Sequence, residues 1–162
     1  MIYNKKMESY LNHINTNFKL NELCNNIDLC ILQGRNCNGE PYFYLEHNCC
    51  NLNSSSNTKF TGEMLTQLEW DCNEIYINDS EDIICLLQTA LITIKSIKTI
   101  LKTQYPLQSF DILMSFDDGK DFDVLPSATI RFYAIRNNNY YISHDTLSLE
   151  KFNQPILIES IN

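Results

Sequence analysis

Between Ile83 and Leu101 the apolar residues recur at helical spacing, and beyond Pro106 the spacing changes to two. That switch limits the fold more than any other feature of the chain. Ile83, Leu87, Ala90, Ile94, Ile97 and Leu101 step by four, three, four, three and four, and Ile84, Leu86 and Leu91 widen the stripe. The spacing predicts one long amphipathic helix over about 79–104. Asp79 or Ser80 supplies its N-cap, with Glu81 and Asp82 in the first turn. Lys95, Lys98 and Lys102 fall toward its C-terminal end, where the helix dipole favours cations. Pro106 ends it and pushes Tyr105 out of the helical region. Gln88, Thr89, Thr93, Lys95, Ser96, Lys98 and Thr99 interrupt the stretch, so a membrane span is not expected.

After the proline, Phe110, Ile112, Met114 and Phe116 alternate with Asp111, Leu113 and Ser115, the pattern of a strand with two different faces. Asp117 to Lys120 reads as a turn, and Ala128 to Ile135 alternates again. Asn137 to Asn139 turns the chain, Tyr140 to Ser143 returns, and Pro155 to Ser160 forms a last strand after one helical turn near Ser148. On the N-terminal side, Tyr3, Met7, Tyr10, Leu11, Ile14 and Phe18 predict a first helix. Ile27 to Leu32 and Tyr42 to Leu45 predict strands on either side of a turn at Gly34 to Gly39. Residues 48–58 read as a loop, 60–68 as a short helix and 74–77 as a short strand. Strands and helices segregate, so the expected fold class is α+β: an antiparallel C-terminal meander packed against a long central helix, in one domain over 1–162.

The net charge is −8, and it is uneven. Residues 69–123 hold eleven acids and four bases, whereas 1–68 and 124–162 are close to neutral. Nucleic acid as a direct ligand is disfavoured, because phosphate neutralisation needs clustered Lys and Arg. A basic protein partner is favoured. Asp117, Asp118, Asp121 and Asp123 form one candidate docking surface, and Glu69, Asp71, Asp79, Glu81 and Asp82 form a second, the last three also capping the long helix. Seven cysteines in odd number and irregular spacing, with no apolar h-region after Lys5 and Lys6, predict reduced thiols in a cytoplasm.

Motifs for chemistry are weak. The acids of 117–123 do not follow the calcium-loop pattern, since two are adjacent and position 125 is leucine. Cys37, His47, Cys49 and Cys50 lack the paired spacing of structural zinc. The chain has no nucleophile elbow and no phosphate-cradling glycine cluster. A Cys50–His144 dyad has no supporting motif. The expectation is therefore a protein that is not an enzyme, with no cofactor, no metal and no membrane partner. The aromatics on expected strands, Tyr42, Phe43, Tyr44, Phe132, Tyr133, Tyr140 and Tyr141, read as ordinary sheet residues first and interface anchors second.

Three segments carry a family resemblance: the helix end IKTILKTQYP (97–106), the strand and turn FDILMSFDDG (110–119), and SATIRFYAIRNNNYYIS (127–143). Over 79–162 this pattern resembles immunity proteins of bacterial contact-dependent growth inhibition systems. The resemblance implies a cytoplasmic inhibitor that binds a cognate toxin domain, often a nuclease, and blocks it without catalysis of its own. The alternative is a structural or adaptor subunit of a larger assembly.

Overall fold

A computed structural model describes residues 1–17, 29–47, 59–78, 80–120 and 124–162, the side chains of 15–17 aside. The predicted long helix is α3, Ile83–Gln104, in an order that runs β1 (Ile2–Tyr3), α1 (Lys5–Asn17), β2 (Ile31–Arg35), β3 (Pro41–Leu45), α2 (Glu63–Cys72), β4 (Glu74–Ile77), α3, β5 (Phe110–Asp117), β6 (Ser127–Ala134), α4 (Thr146–Leu149) and β7 (Ile156–Ile161). The fold is α+β, as the segregated periods imply.

Helix α3 begins later than expected. Asp82 is its N-cap, with Oδ1 accepting from the backbone N–H of Ile84 at 2.8 Å and of Cys85 at 3.4 Å. Ser80 supports that cap by accepting from the Asp82 N–H, while Asp79 lies outside the described residues. Leu86, Leu87, Ala90, Ile94, Ile97 and Leu101 are buried, as the stripe predicts. Thr89 and Thr93 donate their hydroxyls back to the carbonyls of Cys85 and Thr89, so these polar residues sit in an apolar face without an unmet donor. Among the described residues α3 alone is long and apolar enough to cross a membrane, with a mean hydropathy of 1.6. Here its apolar face is buried against the sheet.

The sheet has five antiparallel strands in the order β1-β7-β5-β6-β4. Phe110, Ile112, Met114 and Phe116 of β5 stand opposite Ala134, Phe132, Ile130 and Ala128 of β6, and all eight pack in the core with α3. The other face of β5 and β7 is also covered. Leu113, Ile156 and Ile158 pack with Leu149 of α4, Ile142, Ile2 and Trp70. Burial on both faces explains why β5 is more apolar than a half-exposed strand.

Several expectations change. Strand β2 runs Ile31–Arg35, through Gly34 and Arg35 of the expected turn, because both pair with β3; Ile27 and Asp28 of the expected strand lie outside the described residues; and α2 covers Glu63–Cys72 rather than 60–68. Tyr3 sits in β1, opposite Leu157, not on the first helix stripe. The cause is Asn4, whose Oδ1 caps α1 through Met7 N–H at 3.0 Å and also accepts from Ile156 N–H at 3.1 Å, fixing the helix start beside β7. Residues 140–143 do not return as a strand. Asn137 and Asn138 take φ of 53° and 57°, the turn closes on an Arg136–Asn139 bridge, and the chain then crosses to α4. As a result β7 adds beside β5 on the side away from β6, so the strand order is not that of a simple meander.

The hairpin β2-β3 joins the sheet through side chains of and just after α2. Glu69 accepts from the N–H groups of Phe43 on β3 and Ala134 on β6, at 2.9 and 2.8 Å. Asn73 accepts from Leu45 N–H and donates to the carbonyls of Phe43 and Phe132. These two buried side chains satisfy backbone groups of both strands, where a sheet would use a neighbouring strand. Phe43 completes the junction by packing edge-on against Phe110 and Tyr105, each at 4.8 Å between centroids.

Candidate functional site: an acid-rimmed groove and two buried acid hubs

The turn after β5 carries the first group of sequence-predicted acids. Asp117 accepts from Gly119 N–H at 2.9 Å, and Gly119 has φ of 75° with the Val124 carbonyl packed where a Cβ would stand, so the turn requires glycine. Asp118 accepts from the Lys120 ammonium at 2.6 Å, from Tyr10 Oη at 2.9 Å and from the Lys120 N–H. Its hydrogen bond with Lys120 holds the Asp118 carboxyl below its ordinary value. Burial, then the bond to Asp118, pushes the Tyr10 phenol up to about 12. The two aspartates line a groove of about 510 Å³ between Lys6 and Tyr10 of α1, Phe116 at the end of β5, and residues 153–155. Phe116 is buried and meets Tyr10 edge-on at 4.9 Å. The groove therefore has an aromatic wall and a carboxylate rim. Asp121 and Asp123, predicted for the same surface, lie outside the described residues.

The second predicted group divides. Asp71 is exposed and accepts from the Gln67 side-chain amide at 3.1 Å. Glu69 is not a docking residue: it is 1% exposed and forms an ion pair with Arg136 at 2.6 Å. Burial pushes its carboxyl above the ordinary value, and Arg136 with the two backbone N–H groups pulls only part of the way back. Arg136 also donates to Thr66 and to the carbonyls of Pro41 and Ala134. The spacing hid this role, because Glu69 follows Leu68 and precedes Trp70 in a helix whose buried face is short.

Much of the acid excess of residues 69–123 serves architecture. Glu69 and Asp111 are buried, Asp82 caps α3, Glu74 pairs with Arg131, and Asp118 pairs with Lys120.

Asp111 is the hub missed from the sequence. It is fully buried and accepts from Tyr133 Oη at 2.9 Å, His144 Nε2 at 2.7 Å and Ser160 Oγ at 2.8 Å. Burial, followed by the charge of Asp111, pushes the Tyr133 phenol upward. The residue types are those of a hydrolytic triad, but the connectivity differs. In a triad the histidine stands between the serine and the acid and removes the serine proton. Here the acid stands at the centre and the serine donates to it directly, while the histidine sits on the acid's other oxygen. The hub instead pins the segment after β6 to the outer face of the sheet. Its signal in the sequence is an acid in the strand Phe-Asp-Ile-Leu-Met, where an unpaired charge is costly.

Cys30, Cys37, Cys72 and Cys85 are present as thiols, and Cys24, Cys49 and Cys50 lie outside the described residues. Among the described residues no three His, Cys, Asp or Glu side chains come together as a metal site.

These features define a small α+β domain whose strands β5 and β7 are covered on both faces, with buried acid hubs that hold it together and an acid-rimmed groove at one end. The chain belongs to the uncharacterized protein PM0498 family, whose model matches residues 2–162. No curated protein and no solved structure matches it.

Proposed function

We propose that the protein is an immunity-type inhibitor: a cytoplasmic, non-catalytic domain that binds a basic toxin domain in a stoichiometric complex and neutralises it. The observation that supports this reading is the groove, with Asp117 and Asp118 on the rim and Tyr10 and Phe116 on the wall. The half-buried Tyr10 ring, backed by buried Phe116, gives a partner side chain apolar contact, and the rim carboxylates steer a cationic surface toward it. Lys120 covers Asp118 only through an exposed ion pair, of the kind worth about 0–1 kcal/mol, which a partner's arginine can displace. The resemblance of 79–162 to contact-dependent growth inhibition immunity proteins supplies the toxin as the class of partner.

The test is co-expression with the product of the adjacent upstream reading frame, followed by purification and a growth-protection assay. A one-to-one complex and protection are expected. Asp117→Asn with Asp118→Asn keeps the fold, slows association by about tenfold and flattens its salt dependence, because rim charges act mainly on the association rate. Complex formation and protection unaffected by the double variant refute the groove as docking site. Absence of both in the wild type refutes the inhibitor reading.

A further inference from the structure

At the other end of β6 from the groove, the chain builds a second cavity, of about 320 Å³, lined by Glu63, Thr66, Gln67, Asn139, Tyr140 and Tyr141. Among the described residues no lysine or arginine lines it. The turn through Asn137 and Asn138 is anchored on both sides. Arg136 is tied to buried Glu69, and Asn139 Nδ2 donates to Glu63 Oε1 at 2.6 Å while Tyr141 Oη donates to Gln67 Oε1 at 2.9 Å. Both tyrosines are still 46% and 40% exposed. Each has another ring against it: Tyr140 meets His144 at 4.2 Å, and Tyr141 stacks on Trp70 at 4.4 Å. Arg131 lies over the Trp70 ring at 5.1 Å, so this aromatic cluster already accommodates one guanidinium.

We propose that the Tyr140–Tyr141–Glu63 cavity receives an arginine side chain of a protein partner. A planar cation stacks on an aromatic ring and forks its N–H groups to a carboxylate, and guanidinium does both better than a compact, strongly hydrated ammonium. The cavity offers two tyrosine rings, one carboxylate that has one oxygen bound to Asn139, and the amide oxygens of Gln67 and Asn139. The charge of Arg136 behind Thr66 is met by Glu69 and does not oppose a second cation. Pinned side chains lower the ordering cost of binding, which is what an anchor site needs. The proposal rests on the inhibitor reading only for the source of the arginine. The site itself is a guanidinium pocket whatever the groove binds.

The experiment is an NMR titration of the full chain with the peptide acetyl-Gly-Arg-Gly-amide and with its citrulline counterpart, which has the same shape and no charge. The arginine peptide shifts the Tyr140 and Tyr141 rings and the Gln67 and Asn139 amides, with a dissociation constant on the order of 1 mM. Citrulline binds at least about tenfold more weakly, and Glu63→Gln, at an exposed position, weakens the arginine peptide by at least about threefold. Equal binding of the two peptides, an unchanged Glu63→Gln titration, or no shift at ~10 mM peptide overturns the proposal. Shifts confined to Tyr10, Asp117 and Asp118 also overturn it and leave the groove standing. Conversely, failure of the Asp117 and Asp118 variants to alter association leaves this titration intact.

Discussion

Glu69→Ala separates an architectural acid from a docking acid by measurement. The wild-type carboxylate meets Arg136 and two backbone N–H groups, Phe43 and Ala134, in a place that is 1% exposed. Removing one partner of a buried ion pair costs about 3–5 kcal/mol, because the other charge stays behind unpaired. Each orphaned buried N–H adds about 1–3 kcal/mol, less whatever water entering the alanine cavity restores. Arg136 keeps its bonds to Thr66, Pro41 and Ala134, which offsets part of the loss. A destabilisation of about 4 kcal/mol is expected, against a total of about 5–15 kcal/mol for a domain. In urea, with a slope of about 2 kcal/mol per molar, the midpoint falls by about 2 M. Asp71→Asn, two residues away on the exposed side of the same helix, stays within about 0.5 kcal/mol. Arg136→Ala combined with Glu69→Ala is less destabilised than the two single changes summed, since the double variant buries no lone charge. A Glu69→Ala loss under about 1 kcal/mol, or strict additivity with Arg136→Ala, refutes the argument.

Two further expectations follow from the core. Ile94→Asp abolishes cooperative unfolding, because it places an unpaired charge at a 3% exposed position under the sheet, whereas Lys95→Asp on the exposed side keeps a cooperative transition by circular dichroism. Glu159, nearly buried on β7, pairs with Lys98 and with the Met1 amino group; burial opposes its ionisation, but the two cations outweigh it and hold the carboxyl below its ordinary value. A depressed folded value means stability present above the unfolded value near ~4.3 and lost as pH falls through the folded one. Lys98→Met is therefore less stable than wild type by about 2 kcal/mol at pH 7, and the gap narrows in denaturation series taken below about pH 4. A gap that stays constant with pH removes the ion pair from the account.

The long helix and strands β5 and β6 were legible because each carries a clean period, and β3 and the last strand because an apolar or aromatic run follows a proline; β4, a four-residue strand, carries no such signal. Pro41 opens β3, Pro106 ends α3, and Pro155 precedes β7. The path after β6 was not legible, because it is set by contacts remote in sequence. Asp111 holds His144 and Ser160 across 33 and 49 residues. Periodicity within the 140–143 segment shows a run of aromatic and apolar residues and nothing of the acid that claims its neighbour. The N-cap of α3 failed for a local reason: Asp79, Ser80 and Asp82 are all competent caps, and the choice among them depends on where β4 ends.

Charge counting along the chain failed in a more instructive way. A segment total treats every acid as surface, yet Glu69 and Asp111 face inward and Asp82, Glu74 and Asp118 have partners nearby. A carboxylate that accepts from two or more backbone or side-chain donors is already committed to the fold, and its field is largely cancelled where a cation sits against it. Among the described residues, what a partner meets includes Asp117 and the weakly paired Asp118 on the groove, Glu81 before α3, Asp71 on α2, and Glu63 beside two tyrosines. The last of these escaped the sequence reading because it stands alone, six residues before the middle third and 76 residues from Asn139, the turn residue it bonds. One carboxylate backed by aromatic rings discriminates among cations by shape, which a cluster of solvated aspartates does not do. Recognition at such a site is set by which side chains the turn at Asn137 and Asn138 brings against α2, and that is a property of the folded chain.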